Sequence, residues 1–427
     1  ENDSTGQRMT ITSSGSFTMA LDSSSPSYTL TAAGRTGVTA SVFRLTATNE
    51  AIRLTDFGLQ LTNGDASSVP NASSSPQDVA KVTLWDGATK VGEAVFVGAS
   101  YYASTTLSAD FTIPKDGSKL LTAKMDVAAQ GASQAGIPGS FVQVDIPAGT
   151  QGGSLATGQA SGQRIRVDSL TTATASAGVR VLRSYPTLEL VALSNTKLVA
   201  GRQDLFRFKM TAAPEGDVGV AKFTFRIATS SATNQLDMID NVNMYIYSDS
   251  GFSSPATAEV GRNDGSLLQT SIDLSGVANS TGSGTSWASA STDIEVWAAD
   301  NSNASTTIII PAGATRYFAI KGDATTAGTQ FSVSTQLQGD AKFASDLATG
   351  ACCTTGGFPH TAATSTYMAT TTYLREPGVT TPAVSYDFVW RPFSTTTAQS
   401  ILANDYSTGY GIPGLPTTNT NTQILTQ

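Results

Sequence analysis

The sequence predicts an all-β chain: two tandem Ig-like antiparallel β-sandwiches, an N-terminal strand arm and a β/loop-rich C-terminal tail. Three observations predict it. Composition favours strands, short alternating segments are bounded by turn residues, and those segments recur in the same order further along.

Charged residues make up 14% of the 427, against about 25% in an average soluble protein. Apolar residues reach 40% and net charge is only −8, which argues against disorder, since disordered chains combine low hydrophobicity with high net charge. Abundant Thr and Val suit a pleated surface, where β-branched side chains pack well. A negative balance without any basic stripe argues against a nucleic-acid partner, whose phosphates require clustered Lys and Arg. No run approaches the roughly 18 apolar residues of a transmembrane helix. The chain opens at Glu1 with neither Met nor a charged-then-apolar leader, which reads as a processed N terminus and so as a secreted, extracellular protein.

The repeat carries the domain reading. Phe43-Arg44-Leu45 is matched to Phe206-Arg207-Phe208, and the alternating run 54–61 to 220–227. The segment 79–85, ending in Asp86-Gly87, is matched to 242–247, ending in Ser248-Asp249-Ser250-Gly251. Ile113-Pro114 leads through Gly117 to Lys124, and Ile310-Pro311 through Gly313 to Lys321, ten positions from Pro to Lys in both. Phe141-Val142 then pairs with Phe331-Ser332. The offset is 163 residues at the Phe-Arg pair and 197 at the Pro, so the second copy carries 34 extra residues, placed within 252–303. Alternation with Gly, Pro, Asn and Asp between segments is the pattern of a sandwich with one face of each strand buried.

The resulting division is an N-terminal arm at 1–22, a first sandwich at 23–168, a second at 179–346 and a tail at 347–427. The tail holds strand candidates at 366–374 and 384–390. It also holds a turn-rich stretch whose Tyr406, Tyr410, Ile412 and Leu415 are suited to docking on a surface.

The Trp85-Asp86-Gly87 strand end, the Ile-Pro…Gly…Lys units and Gly409-Tyr410-Gly411-Ile412-Pro413-Gly414-Leu415-Pro416 resemble segments of secreted, S-layer-like Ig-fold surface proteins of ultrasmall candidate-phyla bacteria. The resemblance covers most of the chain. It implies a structural surface protein and no particular chemistry.

Catalytic residues are not evident. The single histidine, His360 in Gly357-Phe358-Pro359-His360, has no nucleophile motif around it and reads as a surface residue. Acids are numerous, but no motif marks the facing carboxylate pair of a glycosidase. Calcium, which takes six to eight oxygens, is the candidate metal. An antiparallel arrangement brings Glu215, Asp217 and Asp249 to one end of the second sandwich, with Glu50 and Asp86 in the equivalent region of the first. Against that, Asp and Asn favour turns in their own right. Adjacent Cys352 and Cys353 have three readings: a vicinal disulfide, two buried thiols, or pairing with another subunit. Trp85 and Trp297 lie in alternating segments and are expected in the core, whereas Trp287 is the candidate ligand contact within the insertion.

The chain is therefore expected to be a non-enzymatic subunit that assembles with copies of itself into a surface layer or filament. The alternative is an adhesin holding glycans of a cell envelope. In the assembly reading the N-terminal arm adds a strand to a neighbour's sheet edge.

Overall fold

The computed structural model describes residues 15–62, 75–108, 111–131, 133–136, 139–149, 153–167, 173–230, 239–256, 291–298, 308–325, 331–340, 387–393 and 407–427. These contain twenty-five strands and one short 3-10 turn, which makes the chain all-β as expected. Among them no helix is long and apolar enough to cross a membrane.

Thirteen strands precede residue 168: β1 (Ser16–Leu21), β2 (Thr29–Ala32), β3 (Val38–Thr48), β4 (Ile52–Leu61), β5 (Val79–Asp86), β6 (Thr89–Ala94), β7 (Tyr102–Thr106), β8 (Thr112–Ile113), β9 (Ser118–Val127), β10 (Phe141–Val142), β11 (Val144–Asp145), β12 (Ser154–Gly158) and β13 (Arg164–Val167). One antiparallel sheet has the order β1-β3-β9-β5-β6. The other is built on β4, which pairs with β7 and β8 on one edge and β11 and β12 on the other. Alternation sets the faces. Along β9, Leu121, Ala123, Met125 and Val127 point inward, meeting Phe43 and Leu45 from β3 and Phe57 and Leu59 from β4.

The remaining strands are β14 (Val179–Leu182), β15 (Pro186–Leu190), β16 (Gly201–Ala212), β17 (Val218–Thr229), β18 (Ile239–Tyr247), β19 (Ser291–Trp297), β20 (Ile308–Ile310), β21 (Thr315–Ala324), β22 (Ser332–Leu337), β23 (Phe388–Arg391), β24 (Ser407–Thr408) and β25 (Gln423–Thr426). The order β15-β16-β21-β18 repeats β1-β3-β9-β5. Counting only these four strands along the chain, that is first-second-fourth-third, the ABED order of an immunoglobulin sheet. Strand β17 repeats β4, with β19 and β20 on one edge and β22 and β23 on the other. The core between these sheets is aromatic: Phe208 stacks on Phe318 at 4.8 Å, with Phe206, Phe223, Phe225 and Phe388 around them.

The duplication is therefore visible in the ladders, and it corrects the match in the first segment. The β3·β9 ladder is interrupted between Thr39 and Ser41, and the β16·β21 ladder between Asp204 and Phe206. Lys124 and Lys321 face the residue before each interruption, as the Pro-to-Lys spacing requires. Phe43 is then the counterpart of Phe208, opposite Leu121 and Phe318, and not of Phe206. The extra residue of the bulge is Ala40 in the first copy and Leu205 in the second, so Phe206, paired with Ile320, is the counterpart of Ser41, and two Phe-Arg pairs that look alike in sequence sit two residues apart in the fold.

Domain edges also differ from the simple division. Within the 1–22 arm, Ser16–Leu21 pairs with β3 and buries Phe17 and Met19, so this part is a strand of the first sandwich. Residues 1–14 lie outside the described residues. Strand β14, which the division at 179–346 put in the second sandwich, lies parallel to β2 and antiparallel to β10, and thus belongs to the first sandwich's ladders. Strand β25 fills the same slot in the second. Arg180 faces Leu30 and Phe141; Thr426 faces Lys197 and Ser332 in the same senses. The neighbours Val179 and Leu425 are both buried. The tail's 384–390 candidate appears as β23 against β17, so described parts of the tail complete the second sandwich. The 252–303 span includes β19, a ladder partner of β17. Residues 257–290, with Trp287, and 341–386, with Cys352, Cys353, His360 and the 366–374 candidate, lie outside the described residues.

Candidate functional site at the joint between the sandwiches

The carboxylates singled out for calcium are each engaged locally. Glu50 accepts from the backbone N–H of Gly15 at 2.7 Å, from those of Ala160 and Ser161 at 2.8 Å, and from the Ser161 hydroxyl at 2.8 Å. These hydrogen bonds favour the charged form and hold its pKa at about 2. It acts as a clamp that ties the start of β1 to the turn after β12. Asp86 pairs with Lys119 at 2.6 Å. Asp217 accepts from the Ala312 N–H at 2.8 Å. Asp249 binds the N–H groups of Gly251, Ser253 and Ser254 and the Ser253 hydroxyl, which pull its pKa down and close the 249–254 turn. Glu215 reaches across to the first sandwich. Among the described residues no three His, Cys, Asp or Glu side chains converge as a metal site would need.

Two acids that the sequence did not point to are more deeply buried. Asp145 accepts from the hydroxyls of Thr62 (2.6 Å) and Thr174 (2.9 Å) and from the Ser176 N–H (2.7 Å). Asp340 accepts from the N–H groups of Asp387 (2.8 Å), Phe388 (3.1 Å) and Gly409 (2.8 Å). Burial raises both pKa values against the pull of these donors. Both pin loops to a sheet edge, a role that pattern alone cannot announce.

Trp85 departs from expectation. It lies on the outer face of β5, half-buried, with Lys124 Nζ 4.7 Å from its ring centre and its Nε1 donating to Thr83 at 2.9 Å. The counterpart is Tyr245, with Lys321 at 5.3 Å. Strand alternation allows either face, and the lysine stem shields the ring. Among the described side chains Trp390 is the tryptophan in the core, its Nε1 donating to Thr408 O at 2.7 Å, and the side chain of Trp297 lies outside them.

What the described residues do bring together is the joint. Three residues separate β14, in the first sandwich, from β15, in the second. Arg35 forks onto Glu215, Nε to Oε1 at 2.7 Å and Nη2 to Oε2 at 3.3 Å, and donates to Tyr185 Oη at 2.7 Å. Ser184 donates to Gly216 O at 2.6 Å, and Ala33 N–H to Leu182 O at 2.8 Å. The docking residues of the tail cover this seam. Ile412 and Leu415 are buried, Tyr410 stacks on Tyr28 at 4.7 Å, and Leu188 N–H donates to Pro413 O at 2.8 Å. Tyr406 lies outside the described residues. Close approach demands glycine here: Gly411 has φ +79°, and a Cβ on it would lie 2.4 Å from the Tyr28 ring.

No family model matches the chain, and no curated protein is similar to it. Among solved structures, the Streptococcus agalactiae AgI/II polypeptide BspA C-terminal domain aligns over 75% of this chain and 95% of its own, at 9% identity and a TM-score of 0.19. Collagen adhesin (CNA) from S. aureus aligns over 76% and 85%, at 10% identity and 0.14. The collagen-binding domain of Erysipelothrix rhusiopathiae surface protein RspB aligns over 75% and 85%, at 12% and 0.16. At these scores the likeness carries no argument about this chain, and the fold assignment rests on its own ladders.

Proposed function

We propose that the chain is an extracellular structural subunit of a cell surface, assembling with copies of itself into a layer or filament and performing no catalysis. One observation carries the reading: two copies of one sandwich are locked in line through a three-residue connection, an ion pair and a glycine-rich cover. Such a joint holds the modules stiffly and leaves the site's polar groups bound to each other rather than facing a cleft. The carboxylates engaged in local clamps fit a scaffold, as does a surface rich in hydroxyls and poor in charge. Negative-stain microscopy of the purified protein, with and without calcium, tests it. Sheets, tubes or fibres are expected; dispersed single particles under every condition would overturn it.

A second reading, an adhesin for envelope glycans, draws on the outer face of the second sandwich. There Tyr247, Phe252 and Tyr317 cluster at 5.6–5.8 Å, with Arg207 4.3 Å from the Phe252 ring, just before the stretch that holds Trp287. Glycan-array binding lost in Trp287→Ala would favour it.

A further inference from the structure

Resting on the assembly reading, we infer that the pole of the second sandwich around residues 196–202 docks the N-terminal pole of another copy, so that chains join head to tail as the two sandwiches do within one chain. The repeat supplies the argument. Arg180 and Thr426 occupy one slot, which sets Leu30 against Lys197, Ala32 against Val199, and the turn Gly34-Arg35 against Gly201-Arg202. Both glycines have positive φ, 80° and 105°. In the first sandwich this pole is met by the second: Ala32 is wholly buried in the core cluster that the second sandwich's strands form, and Arg35 is latched to Glu215. In the second sandwich no described residue of another module covers the same pole. Val199, where Ala32 would be, is 48% exposed, one of six large apolar side chains so exposed among the described residues. Arg202 turns back onto its own sheet, to Asn241 O, Asp323 and Tyr245 Oη.

Orientation and charge point to the occupant. Arg35 precedes β3 and Glu50 follows it; Arg202 is the second residue of β16 and Glu215 follows that strand. The sandwiches therefore succeed each other without inversion, and the face at the opposite end from residues 196–202 is, among the described residues, the end of the first sandwich around Asn49, Glu50 and Asp116. Exposed Lys197 marks the one pole and exposed Asp116, which accepts from the Asn49 N–H, the other. A contact between two different patches of identical subunits does not close on itself unless its rotation does, and otherwise yields open chains. An apolar side chain at the centre with charge around it is the usual build of such a contact.

The test compares the full chain with Val199→Asp and with Val97→Asp. Val97 is 75% exposed, in the loop that enters β7 near the far end of β4 from the Glu50 pole. Both substitutions fall on exposed side chains, so melting temperatures should match the wild type. Sedimentation velocity over a concentration series should show end-to-end oligomers for wild type and Val97→Asp, and an association at least tenfold weaker for Val199→Asp. Assembly unchanged in Val199→Asp would overturn the docking face while leaving the surface-subunit reading in place. A wild-type chain that stays monomeric throughout would overturn both.

Discussion

Arg35 Nε lies 2.7 Å from Glu215 Oε1, joining a turn of the first sandwich to a loop of the second across 180 residues of sequence. Both side chains are about a third exposed, so water screens the pair, and its worth is that of a well-aligned surface fork, about 0.5–1 kcal/mol. A double-mutant cycle of Arg35→Ala and Glu215→Ala in urea unfolding should return that coupling. Small-angle scattering of Arg35→Ala should show a broader distribution of inter-sandwich angles, because Tyr185 loses its donor at the same time.

The Glu50 clamp is pH-dependent with a defined sign. Its folded pKa of about 2 lies below the ordinary carboxylate value, so its stabilisation is fully present above about pH 4.5 and fades as pH falls toward 2. Glu50→Gln replaces one acceptor oxygen with an amide that confronts the N–H groups of Gly15, Ala160 and Ser161. The urea midpoint of Glu50→Gln should fall well below wild type at pH 6, with the gap narrowing as pH approaches 2. A gap independent of pH would reject the clamp.

Leu425 is buried in a strand of four residues at the edge of its sheet. Leu425→Ala should cost about 2–4 kcal/mol by lost transfer energy and residual cavity. The same loss should follow in hydrogen exchange of β22, its ladder partner.

Gly411→Ala places a methyl group against Tyr28 at a backbone angle that alanine resists. It should lift the 409–416 cover, lowering stability by about 1–2 kcal/mol and raising protease cleavage within it.

Calcium at millimolar concentration should leave the melting temperature unchanged. The oxygens of Glu50, Asp86, Asp217, Asp249 and Glu215 are already hydrogen-bonded or ion-paired, so coordination would have to break those contacts first. A rise of several degrees would support the metal reading.

The fold was legible where residue chemistry and periodicity agree. The Ile-Pro…Lys unit marks a strand end, a turn and the next strand, and the Lys124–Lys321 equivalence holds in the ladders. Phe206 misled, because a Phe-Arg pair stands there by its own chemistry while the ladders set Phe206 level with Ser41; the bulge beside it is common to both copies. The better landmark, Gly34-Arg35 with Gly201-Arg202, was hidden by the two-residue difference that follows it. That the tail completes the second sandwich was illegible for another reason. Fifty residues separate β22 from β23, and neither alternation nor turn chemistry says which distant edge a late strand will find. At the joint, Glu215 stood out as an acid in a turn, but its partner Arg35 is 180 positions away and nothing local ties them.

The position of β14 has a mechanical consequence. It is held between β2 and β10 while its C-terminal end feeds into β15 after three residues, so there is no slack between one module and the next. Tension along the chain would load the parallel β2·β14 hydrogen bonds side by side rather than unzipping them one at a time. The seam should therefore resist stretching better than a linker of the same length.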